Sequence, residues 1–523
     1  MTTSLITYLI FIPLAGAVLL FLLRKNPQAV RYAGLFVSIL VFLVSLGLYF
    51  NFDPTTTDFQ FVEYHRWIPS FDISYYVGID GISLLLVMLT TLLTPIVLIS
   101  SWKSITDRVA EYVAMMLILE AGLIGVFTSM DLFLFYVFWE IILIPMYFII
   151  GIWGGNNRIY ATIKFFLYTL VGSLLMLVAI IWLGWYASTL PGGHFTTNLM
   201  TLMSIVPQIP LANQAWIFGA FALSFCIKVP LFPLHTWLPD AHTEAPTGGS
   251  VILAGVLLKM GTYGLIRYCL QLFPQPSIEY APVMATLGVI GIIYGALVSM
   301  VQKDVKRLVA FSSVSHMGFV VLGIFGMTLE SLQGSLIQMI NHGLSTGALF
   351  LIVGMLYDRR HTRMISDFGG LARVMPVFST FFMIVMLSSI GLPGLNGFVG
   401  EFLILLGSFQ STVLGSPIYV IFAATGVIFA ACYMLWMYQR VIFGEIRHEE
   451  NRSLKDLSRR EIGLLLPIIL FIVWIGVYPS TFLGKSEASM QNIVKMLSDV
   501  QKGNPYAERL PQAPALRNED QGK

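Results

Sequence analysis

Charge is scarce in this sequence: Asp, Glu, Lys and Arg make up 11% of 523 residues, against 57% hydrophobic. That balance excludes a soluble globular enzyme and predicts an all-α polytopic membrane protein, whose length counts spans rather than domains. Cysteine is nearly absent. Cys226, Cys269 and Cys432 lie far apart in apolar segments, so they read as small core residues rather than a disulfide framework or metal ligands. No Cys cluster, Walker loop, Rossmann fingerprint or nucleophile elbow occurs. The chain shows no machinery for electron transfer, hydride transfer or nucleotide hydrolysis, and no cofactor or metal of its own is expected. A net charge of +2 with no basic run gives no sign of nucleic-acid binding. Its own chemistry is confined to protons or small cations.

Long apolar runs are what the sequence has instead. They fall near 4–23, 30–50, 79–101, 109–129, 131–151, 162–186, 214–237, 248–270, 281–301, 305–327, 332–357, 375–411, 417–439 and 461–483, which predicts fourteen spans. The first run has no basic segment before it and no A-x-A-like site after it, so it reads as a retained span. With the N-terminus outside, Lys and Arg crowd the inner loops, while the outer loops hold only Arg66 and Arg267. That asymmetry supports both ends outside. The inner loop after span seven departs from it, with Asp240, His242 and Glu244 and no Lys or Arg. Residues 51–78 read as a surface hairpin around Ile68-Pro69-Ser70. The loop 440–461 reads as solvated, 486–502 as a short amphipathic helix, and the tail from Gly503 as extended.

Two spans are candidates for broken helices. In GAFALSFCIKVPLFPLHTWLP, Lys228 is followed by Pro230 and Pro233. Each proline lacks an N–H and crowds the carbonyl four residues back, here Cys226 and Val229. Span twelve contains GLPGLNGFVG. Ile-Lys-Val-Pro at 227–230 and Ile-Gly-Leu-Pro at 390–393 are about five spans apart. Five is odd, so the two units would face opposite ways, as in inverted-repeat transporters. The expected layout is 1–108 as three N-terminal helices, 109–273 and 281–441 as two inverted five-helix repeats with broken helices seven and twelve, and 442–523 as charged loop, last span and tail.

Ionisable residues inside these spans are the candidate site. A carboxylate at Glu140, mid-span five, is costly without a cation, and Lys228 is its obvious partner, in a transport role or a static ion pair. Lys259, central in span eight, can take up and release a proton during turnover, or can simply pair with a backbone carbonyl of a broken neighbouring helix. Glu401 follows the second break, as a transport group or a cap near the membrane face. His316 and His342, on spans ten and eleven, suit a proton relay first, interhelical hydrogen bonding second and haem ligation third. His235, Asp240, His242 and Glu244 superficially resemble metal ligands, and equally fit the mouth of a proton path or a loop brace. Glu120, in span four, has no evident role. Asp80, Asp131, Glu111 and Asp304 fall near span ends, where capping explains them.

FYVFWEIILIPMYFII, FCIKVPLFPLHTWLPDAHTEAPTGGSVILAGVLLKMGTYGLIR and GLPGLNGFVGEF resemble the M-type antiporter-like subunits of NADH:quinone oxidoreductase, respiratory complex I, over nearly the whole chain. The resemblance implies a proton-translocating subunit in a bacterial inner membrane, among lipids, the L- and N-type paralogues and the redox arm. NADH, FMN, iron–sulfur clusters and quinone would belong to partner subunits. It implies a Glu140–Lys228 pair that tunes proton affinity, proton storage on Lys259, exit by Glu401, and a central axis containing His316 and His342. The alternatives are a subunit of an Mrp-type cation/proton antiporter, exchanging sodium for protons, and a scaffold that merely retains the ion pairs.

Overall fold

A computed structural model describes residues 4–503. The chain runs α1 (Leu5–Leu22), α2 (Pro27–Asn51), β1 (Gln60–Ile68), β2 (Ile73–Ile79), α3 (Leu84–Ser100), α4 (Val109–Thr128), α5 (Leu132–Ile141), α6 (Leu143–Trp153), α7 (Arg158–Thr189), α8 (Leu199–Ile205), α9 (Leu211–Lys228) and α10 (Trp237–Glu244). There follow α11 (Thr247–Ile252) and α12 (Leu258–Gly264), each continuing into a π-helical stretch, at Leu253–Leu257 and Leu265–Leu270. The rest is α13 (Pro274–Met300), α14 (Val305–Gly326), α15 (Leu329–Arg360), α16 (Pro376–Ser389), α17 (Asn396–Phe409), α18 (Ile418–Ile442), α19 (Arg459–Val477) and α20 (Ser480–Gln501).

Among the described residues, twelve helices are long and apolar enough to cross a membrane, counting α5–α6 and α11 through the second π stretch as one each. α3, α16 and α17 are apolar but shorter. Helices satisfy their backbone groups internally, which is why an apolar chain in lipid takes this form. Starts coincide with caps. Asp131 accepts from the Phe133 and Leu134 amides, Asp304 from those of Lys306 and Arg307, and Ser458 forms a capping box with Glu461.

The bundle has a polar-bearing centre and an oily rim. The apolar stretches of α11–α12, α14 and α15 are wholly buried, whereas α18 buries only a narrow face. Leu22, Phe36, Val178, Ile421, Ile428 and Leu470 are exposed on the outer helices, where lipid replaces water as the neighbour. α13 packs on α14, α14 on α15 and α15 on α17, so the central helices that carry ionisable side chains are mutual neighbours.

The expected hairpin is present as β1 paired antiparallel with β2. It straps the start of α1 to the segment before α5. Glu63 accepts from the Ile6 amide at 2.9 Å and from the Thr7 hydroxyl, and the Met130 amide donates to Tyr76 O at 2.8 Å. The amphipathic segment starts earlier than expected, at Ser480, and packs on α13, α15 and α19. The proline-rich tail beyond Gly503 lies outside the described residues.

Three expectations need correction. Cys432 is exposed on the outer face of α18 rather than buried. Lys306, counted among the cations of the inner loops, instead starts α14 with its amine buried against Ala245 O at 2.5 Å. Arg267, read as an outer-loop cation, is 2% exposed and donates to Asp80 Oδ1 at 2.6 Å, to the Tyr263 hydroxyl and to Gln271. The π-helical turn that carries Arg267 aims it inward, and Asp80 lies 187 residues earlier, beyond the reach of local pattern. Asp80 still caps, accepting from the Ile82 and Ser83 amides. Asp80→Ala leaves Arg267 charged and buried, and should cost about 3–5 kcal/mol. The expected result is a clear loss of correctly inserted protein and a lower melting temperature in detergent.

Candidate functional site

The wholly buried helices converge on Lys259. π-helical stretches flank its helix on both sides, and such bulges displace carbonyls from the regular ladder. The Lys259 amine donates to the carbonyl of Ala254, in its own preceding turn, and meets His342 Nδ1 at 2.7 Å. Its carbonyl partner thus comes from the same span, not from a broken neighbour. When the amine donates, His342 must accept at Nδ1 and carry its hydrogen on Nε2, a nitrogen with no partner. The His342 and His316 rings stand 5.7 Å apart, centroid to centroid. His316 Nδ1 then donates to Glu401 Oε1 at 3.0 Å, and its Nε2 faces Ser389 Oγ at 3.3 Å. Gln338 also donates to Glu401, at 3.2 Å. Four of the candidates, Lys259, His342, His316 and Glu401, therefore form one buried row. Glu401 pairs with a histidine in the interior instead of capping a membrane-face end.

The break in span twelve builds the far end of this row. α16 stops at Ser389 and α17 begins at Asn396, with Gly391 and Gly394 at φ +80° and +90°, which favours glycine. Polar groups from α15 hold it: Asn341 donates to Asn396 O at 2.7 Å, and Ser345 meets Ser388 Oγ at 2.6 Å. A Cβ on Gly397 would lie 2.1 Å from Ser388 O. Gly397→Val should therefore force the break open and cut assembled protein severely, a result read by blue-native electrophoresis. Ser388, Ser389 and Asn396 were not picked out from the sequence, although small and amide residues flanking a Gly/Pro break in an apolar run are a usable signal.

The break in span seven differs from the expectation. Of the two carbonyls that the prolines crowd, that of Cys226 is taken by a backbone amide. Cys226 O accepts from the Leu231 amide at 2.7 Å, and Ile227 O accepts from the Trp237 indole at 2.8 Å. Gly261 of α12 sits against this end, where a Cβ would come 2.7 Å from Phe225 O. Lys228 is 1% exposed, has no hydrogen bond, and lies 5.4 Å from the centroids of both the Trp139 and Phe165 rings. Aromatic faces attract a cation, so the two rings form a cage for it. Glu140 is half-buried one residue past Trp139, with Ser173, Lys228 and Tyr136 as its polar neighbours. No contact ion pair joins Glu140 to Lys228, since neither the Lys228 amine nor Glu140 Oε1 has a hydrogen-bond partner.

The His235–Glu244 group does not converge. Asp240 takes Lys164 at 2.7 Å and Arg307 at 3.7 Å, which supplies from other segments the cations its own loop lacks. Glu244 accepts from the Asn157 amide, and His235 packs on Phe232 and Tyr294. Among the described residues no three His, Cys, Asp or Glu side chains gather as metal ligands. His242 alone points inward. It stacks on Phe350 at 4.5 Å, both ring nitrogens lack partners, and the charges of Lys306 and Lys259 act on it. Lys306 and Glu244 also line a cavity of about 930 Å³, at the end of the bundle expected to face inward, with Lys103, Asp358, Arg363 and Glu461.

Fold and site define a class: a polytopic membrane protein with ionisable groups aligned through a buried centre. The chain belongs to the family described as NADH:quinone oxidoreductase/Mrp antiporter, whose model matches residues 129–451, and residues 7–126 match the amino terminus of NADH-ubiquinone oxidoreductase chain 4. It is 44% identical to NADH-ubiquinone oxidoreductase chain 4 of Marchantia polymorpha, over 93% of this chain and 96% of that one. It is also 44% identical to NADH-quinone oxidoreductase subunit M of Rickettsia prowazekii, over 94% and 98%. A chain of respiratory complex I from Thermus thermophilus superposes with a TM-score of 0.83 at 31% identity, over 94% of this chain and 99% of that one.

Proposed function

We propose that the chain works as an antiporter-like, proton-translocating membrane subunit of NADH:quinone oxidoreductase. The observation that carries this reading is the row Lys259–His342–His316–Glu401, closed at 2.7 and 3.0 Å at its two ends. Each member can hold or hand on a proton. Protons enter from the inner cavity past Lys306 and His242, load Lys259, and pass through the two histidines to Glu401 and the outer side. α3 and the pair α16–α17 complete fourteen spans, with 109–273 and 281–441 as inverted five-helix repeats, 1–108 as the leading segment and 442–523 as the closing one. The subunit sits in a bacterial inner membrane with both ends outside, beside L- and N-type paralogues, lipids and the redox arm. NADH, FMN, iron–sulfur clusters and quinone act in those partners.

Lys228 in its aromatic cage is the open setting of a switch. Moving it onto Glu140 removes a positive charge from the field around span eight. Bringing unit charges to about 4 Å changes their energy by about 4 kcal/mol at an effective dielectric near 20. That is about a thousandfold in proton affinity, enough to load and unload a lysine.

Glu140→Gln and Lys228→Ala should each lower NADH-driven proton translocation in inverted membrane vesicles by roughly tenfold or more. NADH oxidation by the redox arm with an artificial acceptor should continue. Full pumping in both variants would remove the switch. Co-isolation with flavin and iron–sulfur subunits is expected; sodium-dependent transport without NADH would favour an Mrp-type antiporter instead.

A further inference from the structure

Glu120 has no part in that line, yet it is a built feature. It lies near mid-helix in α4, is 1% exposed, and neither carboxylate oxygen has a hydrogen-bond partner. The charged groups on the helices packed against α4 are engaged elsewhere or unbonded to it. Arg31 on α2 donates to Ile105 O, Lys259 on α12 to Ala254 O and His342, and Glu140 on α5 has Ser173, Tyr136 and Lys228 as its polar neighbours. An ionised carboxylate so enclosed is strongly disfavoured, whereas a carboxylic acid is neutral and carries one proton to donate.

The seam between α3 and α4 leads both ways from this acid. Thr94 on α3 is the polar side chain that faces it. Thr94 Oγ1 donates to Thr90 O at 3.0 Å and Thr90 Oγ1 to Leu86 O at 2.8 Å, so both oxygens keep lone pairs free to accept. The adjoining stripe of α3, one residue earlier at each turn, reaches the segments that carry the Lys259 pair. Leu93 abuts Gly255, next to the Ala254 carbonyl that holds Lys259, and Leu89 abuts Gly343, next to His342. In the inward direction, Tyr112, Met116 and Glu120 share one stripe of α4 at four-residue spacing. Two turns below Glu120, about 12 Å along the axis, the Tyr112 hydroxyl meets Ser101 Oγ of the α3 end at 2.8 Å. Ser104 and Lys103, just beyond, line the inner cavity.

Resting on the proton-transfer reading above, we propose that Glu120 is the proton-holding acid of a second inlet, from the inner cavity along the α3–α4 seam to Lys259. The inlet passes Ser101 and Tyr112, is stored at Glu120, and leaves by Thr94 and Thr90. The balance is simple. Lys259, having passed its proton to His342, is a neutral amine. Glu120 releases its proton to a Thr94 hydroxyl, which passes its own onward, and Lys259 becomes an ammonium. The carboxylate left at Glu120 regains a proton from the cavity side.

The test uses the whole complex in membranes. Glu120→Gln keeps volume and neutrality but cannot yield a proton, and should lower NADH-driven translocation to about half or less. In infrared difference spectra, the wild type should show a protonated-carboxyl C=O band that changes on NADH addition and is absent from E120Q. Thr94→Val should keep that band and lose its response to NADH. Normal pumping in E120Q, or a carboxyl band indifferent to turnover, overturns the inlet. If E120Q does not assemble, the T94V infrared response decides by the same criterion. Lys259→Met separates the two levels: if it pumps fully the main line fails, whereas loss there with normal E120Q removes only the branch.

Discussion

Lys259→Met should abolish NADH-driven proton translocation, with a fall of roughly a hundredfold or more, the scale of a lost proton-transfer group. The physical reason is local and complete. The amine bridges the Ala254 carbonyl and His342 Nδ1. Methionine fills the space but makes neither bond, and a buried polar group left unpaired costs about 1–3 kcal/mol. Lys259→Arg is the sharper comparison. A guanidinium keeps the charge and the donors but does not give up its proton in a protein. Pumping lost in both, with assembled complex in the arginine variant, assigns the role to proton release rather than charge. A pH-sensitive dye in inverted vesicles measures it, and full translocation in either variant removes Lys259 from the path.

Glu401→Gln should have the next largest effect, roughly tenfold or more on translocation, because it removes the carboxylate that takes the proton from His316. His316 Nδ1 and Gln338 Nε2 both aim hydrogens at Oε1, at 3.0 and 3.2 Å. A glutamine there can present its oxygen to both but cannot take the proton. If His316 and Glu401 act as one unit, His316→Phe in the Glu401→Gln background should add little, because groups in direct contact are not additive. Additive losses would mean that the two act on separate paths.

Much of this site is visible in the chain before folding. Lys228, Lys259, Glu140 and Glu401 stand out because an ionisable side chain in an apolar run has no cheap placement. Both breaks are legible because proline and glycine act on their own backbone, within a few residues. Capping by Asp131 and Asp304 was equally local. The expected Glu140–Lys228 contact was not found. Trp139 is one residue from Glu140, and nothing in the linear pattern distinguishes a lysine held by its rings from one held by its neighbour's carboxylate. Arg267 was misplaced because hydropathy locates the end of a helix but not the direction in which a π-helical turn aims a side chain.

The amino-acid sequence by itself determined which segments avoid water, where two helices cannot continue, and which few charges must be accommodated inside, since these follow from transfer costs and backbone sterics of short stretches. Only the tertiary structure decided that Lys259 meets His342 across 83 residues and His316 meets Glu401 across 85. Those pairings depend on which faces of α12, α14, α15 and α17 close on one another. That choice is made by side-chain packing between helices, which no single helix's pattern contains.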